Sequence, residues 1–244
     1  MAHVLGIGRS DLLISRLDEE APADFELLLA RREVAEPVAY ILRRRAFWTI
    51  ELQVGPGVLV PRPDSETLIE AAVEQFGDAE PARILDLGTG PGTLLLAALD
   101  QWRGAEGVGI DLSETALRYA RRNAKHLGLS ARASFQHGNW AEGLDEPFDL
   151  ILCNPPYVES GAELPREVAG FEPSSALFAG VDGLDDYRRL APEIPRLLKP
   201  GGVACVEIGA GQAEAVRDLF IPQGLKVRSR NDLAGHVRCL ILCR

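Results

Sequence analysis

The sequence is poor in the residues that build metal centres and disulfides. Its 244 residues include four cysteines and four histidines. No two cysteines form a CxxC pair and no histidine stands at zinc-ligand spacing, so we expect no metal site. The cysteines all lie in apolar, strand-like stretches, which predicts reduced thiols that pack as small hydrophobic side chains. They are Cys153, Cys205, Cys239 and Cys243.

Long apolar runs are also missing. No run approaches the ~20 residues that a membrane-spanning helix needs. The N-terminal residues soon reach Arg9, Asp11 and Asp18, whereas a secretory signal requires a longer apolar stretch and a cleavage site. We therefore expect no membrane association and a cytoplasmic location.

Positive charge is scarce. Lys and Arg number 26 against 36 Asp and Glu, which gives a net charge of −10. Such a chain is repelled by phosphate backbones, so we expect no stable nucleic-acid partner. Arg43, Arg44 and Arg45 form the only tight basic cluster, and it is either a solvated face or a contact for an acidic partner. We expect a monomer.

Helical spacing dominates the first 35 residues and predicts helices there. The residues that carry this spacing are Leu13, Ile14, Leu17, Phe25, Leu28 and Leu29. A hairpin is predicted next, with alternation over 47–52, a break at Gly55-Pro56-Gly57 and a second strand over 58–60. Asp64 is a candidate cap for a helix that buries Leu68, Ile69, Ala72, Val73 and Phe76.

From residue 82 onward, strand and helix patterns alternate, which predicts a mostly parallel sheet covered on both faces. A helix over 113–127 is expected to begin at Ser113 and to end before Gly128. Another, over about 183–198, contains Pro192 and Pro195, which should bend or divide it. Ligands of such sheets bind at the carboxyl ends of the strands. The predicted strands are 82–87, 106–111, 132–136, 147–153, 201–208, 225–229 and 236–243.

A glycine-rich turn follows the first of these strands. Gly88-Thr89-Gly90-Pro91-Gly92 lets the backbone turn sharply and lets a ligand approach the main chain, and Asp86 stands two residues ahead. Thr93 replaces the last glycine of a dinucleotide fingerprint. Asp111 ends the next strand, where a carboxylate meets ribose hydroxyls in nucleotide-binding folds. The pair indicates an adenosine-type cofactor without separating S-adenosylmethionine from NAD, and a ligand-free turn is the alternative.

The run Asn154-Pro155-Pro156-Tyr157 follows another strand, 148–153, at the same edge of the sheet. Asn154 offers a neutral carbonyl acceptor, and Pro155 keeps its main-chain carbonyl. The prolines stiffen the loop, so the two oxygens can hold both hydrogens of one NH₂ group. Tyr157 offers a flat face for a planar amide or base. This pattern suits methylation of a weakly nucleophilic nitrogen, and a proline-rich turn that only closes a strand is the alternative.

Together these motifs resemble the HemK/PrmC family of methyltransferases, and the resemblance spans nearly the whole chain. Other similar stretches are 37–42, Phe47-Trp48, 57–67, Phe171-Glu172-Pro173 with Ala176-Leu177, and 198–202. The most discriminating is Pro61-Arg62-Pro63-Asp64-Ser65-Glu66-Thr67.

The resemblance implies an α/β fold, namely a seven-stranded Rossmann-like methyltransferase domain over 63–244. A helical substrate-binding domain over 1–45, shortened relative to the family, and a β-hairpin linker over 46–62 would precede it. It also implies methyl transfer from S-adenosylmethionine, with S-adenosylhomocysteine as product, to the glutamine of the Gly-Gly-Gln motif in peptide chain release factors.

Site roles follow from the same resemblance. The cofactor-binding residues would be Asp86, Gly88, Thr89, Gly90, Gly92, Asp111, Leu112, Asn139, Trp140 and Asn154. The catalytic residues would be Asn154, Pro155 and Tyr157, and substrate binding would add Pro156, Arg62, Phe171 and Glu172. Asn139 replaces the acidic residue common in the family, and Arg43 and Arg44 replace a Gly-Glu pair. The other functions considered are a nucleic-acid base methyltransferase acting on adenine or cytosine amino groups, a cofactor-sensing module and an NAD-dependent oxidoreductase.

Overall fold

The computed structural model describes residues 1–16 and 18–244, so Leu17 of the predicted helical pattern lies outside the described residues. Four helices open the chain: α1 (Ala2–Leu5), α2 (Arg9–Ser15), α3 (Ala23–Glu33) and α4 (Val38–Leu42). The predicted helical character of this part is confirmed. Leu13 and Ile14 are 51% and 84% exposed, however, so their spacing does not mark a buried face. Tyr40 of α4 is buried, and its hydroxyl donates to the Val58 carbonyl.

The hairpin consists of β1 (Arg44–Phe47) and β2 (Ile50–Gln53), in which Phe47 pairs with Ile50. The predicted strands over 47–52 and 58–60 are therefore wrong. The chain reverses at Trp48, whose φ of 53° is unusual for a bulky residue. The Trp48 amide donates to Glu66 Oε1 at 2.8 Å and its ring packs on the core, so tertiary contacts offset the local preference. The Gly55–Gly57 turn instead leads residues 58–60 to the site.

Helix α5 (Glu66–Phe76) follows a short 3₁₀ helix, Pro63–Ser65. The expected cap by Asp64 is wrong, since Ser65 occupies the N-cap position and no side chain caps the helix. The Asp64 carboxylate lies instead 3.5 Å from Arg238. Leu68, Ile69 and Ala72 are buried as predicted, and Val73 and Phe76 pack against the same core.

A seven-stranded sheet forms the centre of the molecule, in the order β5-β4-β3-β6-β7-β9-β8. Strands β3 to β7 pair in parallel, and β9 lies antiparallel between β7 and β8. All seven predicted strands are present within a few residues of their expected bounds. They are β3 (Arg83–Leu87), β4 (Glu106–Asp111), β5 (Ala133–His137), β6 (Phe148–Cys153), β7 (Leu198–Glu207), β8 (Lys226–Asn231) and β9 (Val237–Cys243).

Helices cover both faces of the sheet, as expected, and create two apolar cores. The remaining helices are α6 (Thr93–Gln101), α7 (Glu114–His126), α8 (Arg166–Ala169), α9 (Asp185–Leu197) and α10 (Ala213–Phe220), with 3₁₀ turns at Ser174–Ala176 and Ile221–Gln223. One core contains the hairpin, α5 and α6, and the other contains α9 and α10. Ser113 caps α7 through its side chain. Helix α9 continues through Pro192 and Pro195, so the prolines do not divide it.

Among residues 1–16 and 18–244, no helix has the length and apolar character to span a membrane. The same residues contain no group of three or more potential metal ligands. All four cysteines are free thiols; Cys153, Cys205 and Cys239 are buried, and Cys243 is partly exposed.

Candidate active site

A cavity of about 430 Å³ opens where β3, β4 and β6 end, next to the loop after Gly57. Its volume lies in the range of small-molecule sites. Because these strands are parallel neighbours, their carboxyl ends bring the glycine turn, Asp111 and Asn154 to one edge of the sheet. Three parts of the chain that lie far apart in the sequence therefore share one cavity.

The glycine turn wraps around Asp86. Gly88 and Gly90 have φ values of 72° and 57°, which a residue with a Cβ adopts at a cost. At Gly88 a Cβ would also lie 3.2 Å from the Trp140 ring. Asp86 Oδ2 accepts hydrogen bonds from Thr89 Oγ1 at 2.6 Å and from the Leu95 amide at 3.1 Å.

The other oxygen of Asp86, Oδ1, is buried without a hydrogen-bond partner in the described part of the chain. Burial raises the pKa of this carboxyl to about 7, against the smaller opposing effect of its two hydrogen bonds. A buried acceptor without a partner is costly. A cationic ligand in the cavity would lower that cost by pairing with Oδ1.

Asp111 anchors the turn to the next strand. Its Oδ2 accepts from the Gly90 amide and its Oδ1 from the Ser113 amide, both at 2.8 Å. Burial raises its pKa, and these two hydrogen bonds oppose the rise. Each carboxylate oxygen keeps a further lone pair. Asp111 can therefore hold the turn and accept a pair of hydroxyl groups at the same time.

Asn139 and Trp140 also line the cavity. Asn139 Oδ1 accepts from Arg189 at 2.6 Å, and its Nδ2 donates to Glu142 at 2.8 Å. Trp140 has a φ of 54°, and its indole nitrogen donates to Asp186 Oδ1 at 3.1 Å. Helix α9 thus holds both residues in place through Asp186 and Arg189.

Asn154 is the first residue after β6, and it lines the cavity. Its Nδ2 donates to Ser65 Oγ at 3.1 Å. No hydrogen bond within the described residues involves its Oδ1. Pro156 also lines the cavity, whereas Pro155 is buried outside its walls. The amide of Asn154 therefore has its nitrogen bound to the protein and its oxygen available.

Tyr157 does not line the cavity. Its ring packs against the core that contains α9 and α10, its hydroxyl donates to Glu207 Oε1 at 3.3 Å, and its carbonyl accepts from Gln212. In this structure Tyr157 therefore anchors the loop, and its stacking on the substrate stays a prediction.

The predicted site residues divide into those that line the cavity and those that lie outside its walls. Those that line the cavity are Arg62, Asp86, Gly88, Thr89, Gly90, Asp111, Leu112, Asn139, Trp140, Asn154 and Pro156. Gly92 lies outside its walls, and a Cβ there would meet Leu96 at 2.8 Å, so Gly92 serves helix packing.

Phe171 and Glu172 also lie outside the cavity. Phe171 packs against the core. The Glu172 side chain is only 1% exposed, and it binds Arg62 at 2.5 Å and the Val60 amide at 3.0 Å. Glu172 therefore fixes Arg62, which lines the cavity, and a direct contact of Glu172 with the substrate stays a prediction.

Sequence reasoning did not assign a role to Ser65, Asp186, Arg189 or Glu207. Ser65 stands in the discriminating Pro61–Thr67 run, so that run was the available signal. Asp186 stands in the first turn of α9, where acidic residues are common for helix stability alone, so no sequence signal pointed to its contact with Trp140. Glu207 ends a strand in the same manner as Asp111, which was a second usable signal.

The residues present fit S-adenosylmethionine. Asp86 offers an unpaired buried oxygen for a cation, Asp111 offers lone pairs for hydroxyl groups, and Gly88 leaves room beside Trp140 that a Cβ would fill. Together with the sheet order, this arrangement defines the class of the molecule as a Rossmann-like methyltransferase.

Comparisons with known proteins agree. Residues 79–229 match the family described as a methyltransferase domain, and residues 1–42 match the PrmC N-terminal domain. The chain is 48% identical to the release factor glutamine methyltransferase of Rhodospirillum rubrum over 249 residues, which cover 99% of this chain and 76% of that protein. It is 43% identical to the protein of the same name from Caulobacter vibrioides, over 97% of this chain and 84% of that one.

A methyltransferase structure from Pyrococcus furiosus shares the fold, with a TM-score of 0.60 at 17% identity over 91% of this chain and 98% of that one. The chain belongs to the release factor glutamine methyltransferase family. Its family, fold class, enzyme class and methyl donor, S-adenosylmethionine, are thereby confirmed, and the NAD-dependent and purely cofactor-sensing alternatives are set aside.

Proposed function

We propose that this chain methylates the side-chain amide nitrogen of the glutamine in the Gly-Gly-Gln motif of peptide chain release factors. The observation that carries the proposal is the Asn154 amide, whose nitrogen is held by Ser65 and whose oxygen is available at the cavity wall. The relatives' shared name supports the substrate. Because release factors act on ribosomes, we place the enzyme in the cytoplasm. We also propose that it is a monomer, and its net charge of −10 disfavours a stable nucleic-acid partner.

An amide nitrogen is a weak nucleophile, since its lone pair is delocalised into the carbonyl. Asn154 Oδ1 would accept one hydrogen of the substrate NH₂, which fixes the nitrogen in position. The Pro155 carbonyl would accept the other only if the bound substrate reaches past the walls of the cavity, since Pro155 is buried outside them. Such positioning alone is worth several kcal/mol of barrier (up to ~7–11). As methyl transfer places positive charge on the nitrogen, its N–H groups become stronger donors, so an oxygen acceptor binds the transition state more tightly than the bound substrate.

The cofactor would be held by Asp86, the Gly88–Gly90 turn, Asp111, Asn139 and Trp140. When bound, S-adenosylmethionine supplies an electrophilic methyl group on a sulfonium whose sulfur keeps the bonding electron pair. Asp86 would offset the positive charge of the ligand. Residues 1–45 would contact the protein substrate, and residues 63–244 would catalyse the methyl transfer. Residues 46–62 would link these two parts of the chain.

The test is incubation of the purified chain with methyl-labelled S-adenosylmethionine and a purified release factor, followed by mass spectrometry of the Gly-Gly-Gln peptide. We expect one methyl group on that glutamine, and none on a release factor with Gln→Ala in the motif. Cofactor binding without label on the wild-type factor rejects this substrate. Label on RNA or DNA that is lost with Asn154→Ala would support the nucleic-acid alternative.

A further inference from the structure

A buried carboxyl group lies behind the Asn154 loop, and the proposed reaction leaves it unused. Glu207 ends β7 and is 1% exposed. The Tyr157 hydroxyl donates to its Oε1 at 3.3 Å, and the Tyr187 hydroxyl donates to its main-chain oxygen at 2.9 Å. Its Oε2 has no hydrogen-bond partner in the described parts of the chain. Glu207 does not line the cavity, so it acts only through its neighbours.

The neighbour that connects Glu207 to the site is Ser65. Both side chains are buried, and both contact the Asn154–Tyr157 loop, Ser65 through Asn154 and Glu207 through Tyr157. Hydrogen bonding with the Ser65 hydroxyl also lowers the pKa of the Glu207 carboxyl. A hydroxyl proton rotates freely, so Oε2 is the acceptor that remains open to it. On its other side, Ser65 Oγ accepts from Asn154 Nδ2 at 3.1 Å.

Donor and acceptor capacities decide which way the Asn154 amide faces. An ionised carboxylate only accepts, so the open Oε2 of Glu207 can take the single proton of Ser65. The Ser65 oxygen then has only lone pairs for Asn154, which must present its NH₂ group to Ser65. Oxygen and nitrogen of such an amide are assigned from the hydrogen-bond network, and here an ionised Glu207 permits one assignment.

We propose that Glu207, through Ser65, holds the Asn154 amide with its oxygen toward the cavity, so that both are positioning residues for methyl transfer. The effect on methyl transfer rests on the proposed function, whereas the orientation of the Asn154 amide does not depend on it. With Glu207 neutral, the Ser65 proton is free to be donated to Asn154 Oδ1. The amide can then turn, and its NH₂ group would face the NH₂ group of the substrate with no acceptor between them.

Charged groups from several elements surround Glu207. Burial raises its pKa to about 7; Ser65, Arg238 and Tyr157 lower it, and Asp64 raises it. Arg238 is itself paired with Asp232 at 3.2 Å and Asp64 at 3.5 Å. Other titratable groups that interact with Glu207 are Tyr187, Cys153 and Cys239, all with pKa values raised by burial and hence neutral. The amide orientation is therefore expected to change with pH around neutrality.

The first test compares Glu207→Gln, Ser65→Ala and Ser65→Thr with two matched controls on exposed positions, Glu214→Gln and Ser130→Ala. We expect kcat to fall about tenfold or more in Glu207→Gln and Ser65→Ala, as misplaced catalytic groups do, with little change in the affinity for S-adenosylhomocysteine. Ser65→Thr keeps the hydroxyl and should restore most of the rate.

Wild type should lose kcat as pH falls through about 7, and Glu207→Gln should lack this dependence. Wild-type kinetics in Glu207→Gln, with the same acid limb, would overturn the inference.

The second test needs no substrate. The ¹⁵N-labelled side-chain NH₂ of Asn154, identified by its absence in Asn154→Ala, is followed by NMR across neutral pH. We expect its shift to titrate in the wild type with a midpoint near 7 and to stay constant in Glu207→Gln. A constant wild-type signal overturns the inference even if release factor is methylated. A titrating signal in a protein that does not label release factor rejects the proposed substrate and leaves the positioning role standing.

Discussion

The side-chain nitrogen of Asn123 donates to the main-chain oxygen of Pro91 at 2.8 Å. The same amide pairs with both main-chain groups of Gln53, accepting from its N–H at 2.8 Å and donating to its oxygen at 3.1 Å. Asn123 lies on α7 and is fully buried. One side chain thus joins the hairpin and helix α7 to the glycine turn of the cofactor cavity.

Asn123→Ala should therefore lower both stability and cofactor affinity. It leaves the Pro91 and Gln53 main-chain groups without partners, which predicts a loss of about 2–3 kcal/mol in the free energy of unfolding. Urea unfolding with and without S-adenosylhomocysteine measures both effects. Asn231→Ala, on the exposed end of β8, is the matched control. Unchanged stability in Asn123→Ala would show that these contacts are replaced by water at no cost.

Asn154→Ala should reduce turnover far more than cofactor affinity, because it removes an acceptor that positions the nucleophile. We expect kcat to fall about 100-fold, the scale for a misplaced reacting group. Steady-state kinetics on a release factor gives kcat, and calorimetry with S-adenosylhomocysteine gives the affinity. Equal rates in mutant and wild type would rule out this role for Asn154.

Asp111→Ala should weaken cofactor binding by ~1.5–3 kcal/mol, the range for hydrogen bonds to a charged group. Some stability should be lost too, because the Gly90 and Ser113 amides lose their acceptor. Calorimetry with S-adenosylhomocysteine measures the affinity. Asp145→Ala, whose side chain is 97% exposed, is the control and should match wild type. An Asp111→Ala protein with wild-type affinity would mean that this residue serves the turn alone.

Affinity for S-adenosylmethionine should rise with pH up to neutrality. Burial raises the pKa of Asp86 from 3.8 to about 7 in the free protein, and a cation in the cavity favours the carboxylate. Below pH 7, binding therefore releases a proton, and affinity falls by at most about tenfold for each pH unit. Calorimetry in two buffers of different ionisation enthalpy counts the protons. Asp86→Asn should flatten the pH dependence of the affinity. An unchanged slope in that variant would show that another group causes the pH dependence.

The same shift acts on the stability of the free protein with the opposite sign. A carboxyl whose folded pKa lies above its unfolded value favours the fold at low pH, and this contribution is lost as pH rises through about 7. Asp86→Asn should therefore lose less stability between acid and neutral pH than the wild type does. Urea unfolding at both pH values measures the difference, and equal losses in the two proteins would show that Asp86 is already ionised in the unliganded fold.

Much of the site was predictable because its motifs follow strands directly. Gly88, Gly90, Asp111 and Asn154 all lie where the strand pattern and the rule for parallel sheets place them. Tyr157, Gly92 and Glu172 lie beside cavity residues in the sequence but outside the cavity walls, because the side chains of Tyr157 and Glu172 pack inward and Gly92 lies against Leu96. The direction of a side chain after a strand depends on what covers the loop, and that covering comes from distant elements.

The sequence alone determined the order of strands and helices, the edge of the sheet that carries the site, and the residues of the two motifs. These are properties of local periodicity and of short spacings, which the chain carries wherever it folds. Only the tertiary structure decided that Ser65 holds Asn154, that Asp186 and Arg189 hold Trp140 and Asn139, and that Glu207 lies buried behind the loop. The hydrogen bonds to Asn154, Trp140 and Asn139 join residues 46 to 89 positions apart in the chain, and such residues come together only when the layers of the fold pack. No local sequence pattern encodes which distant side chain will fill a given gap.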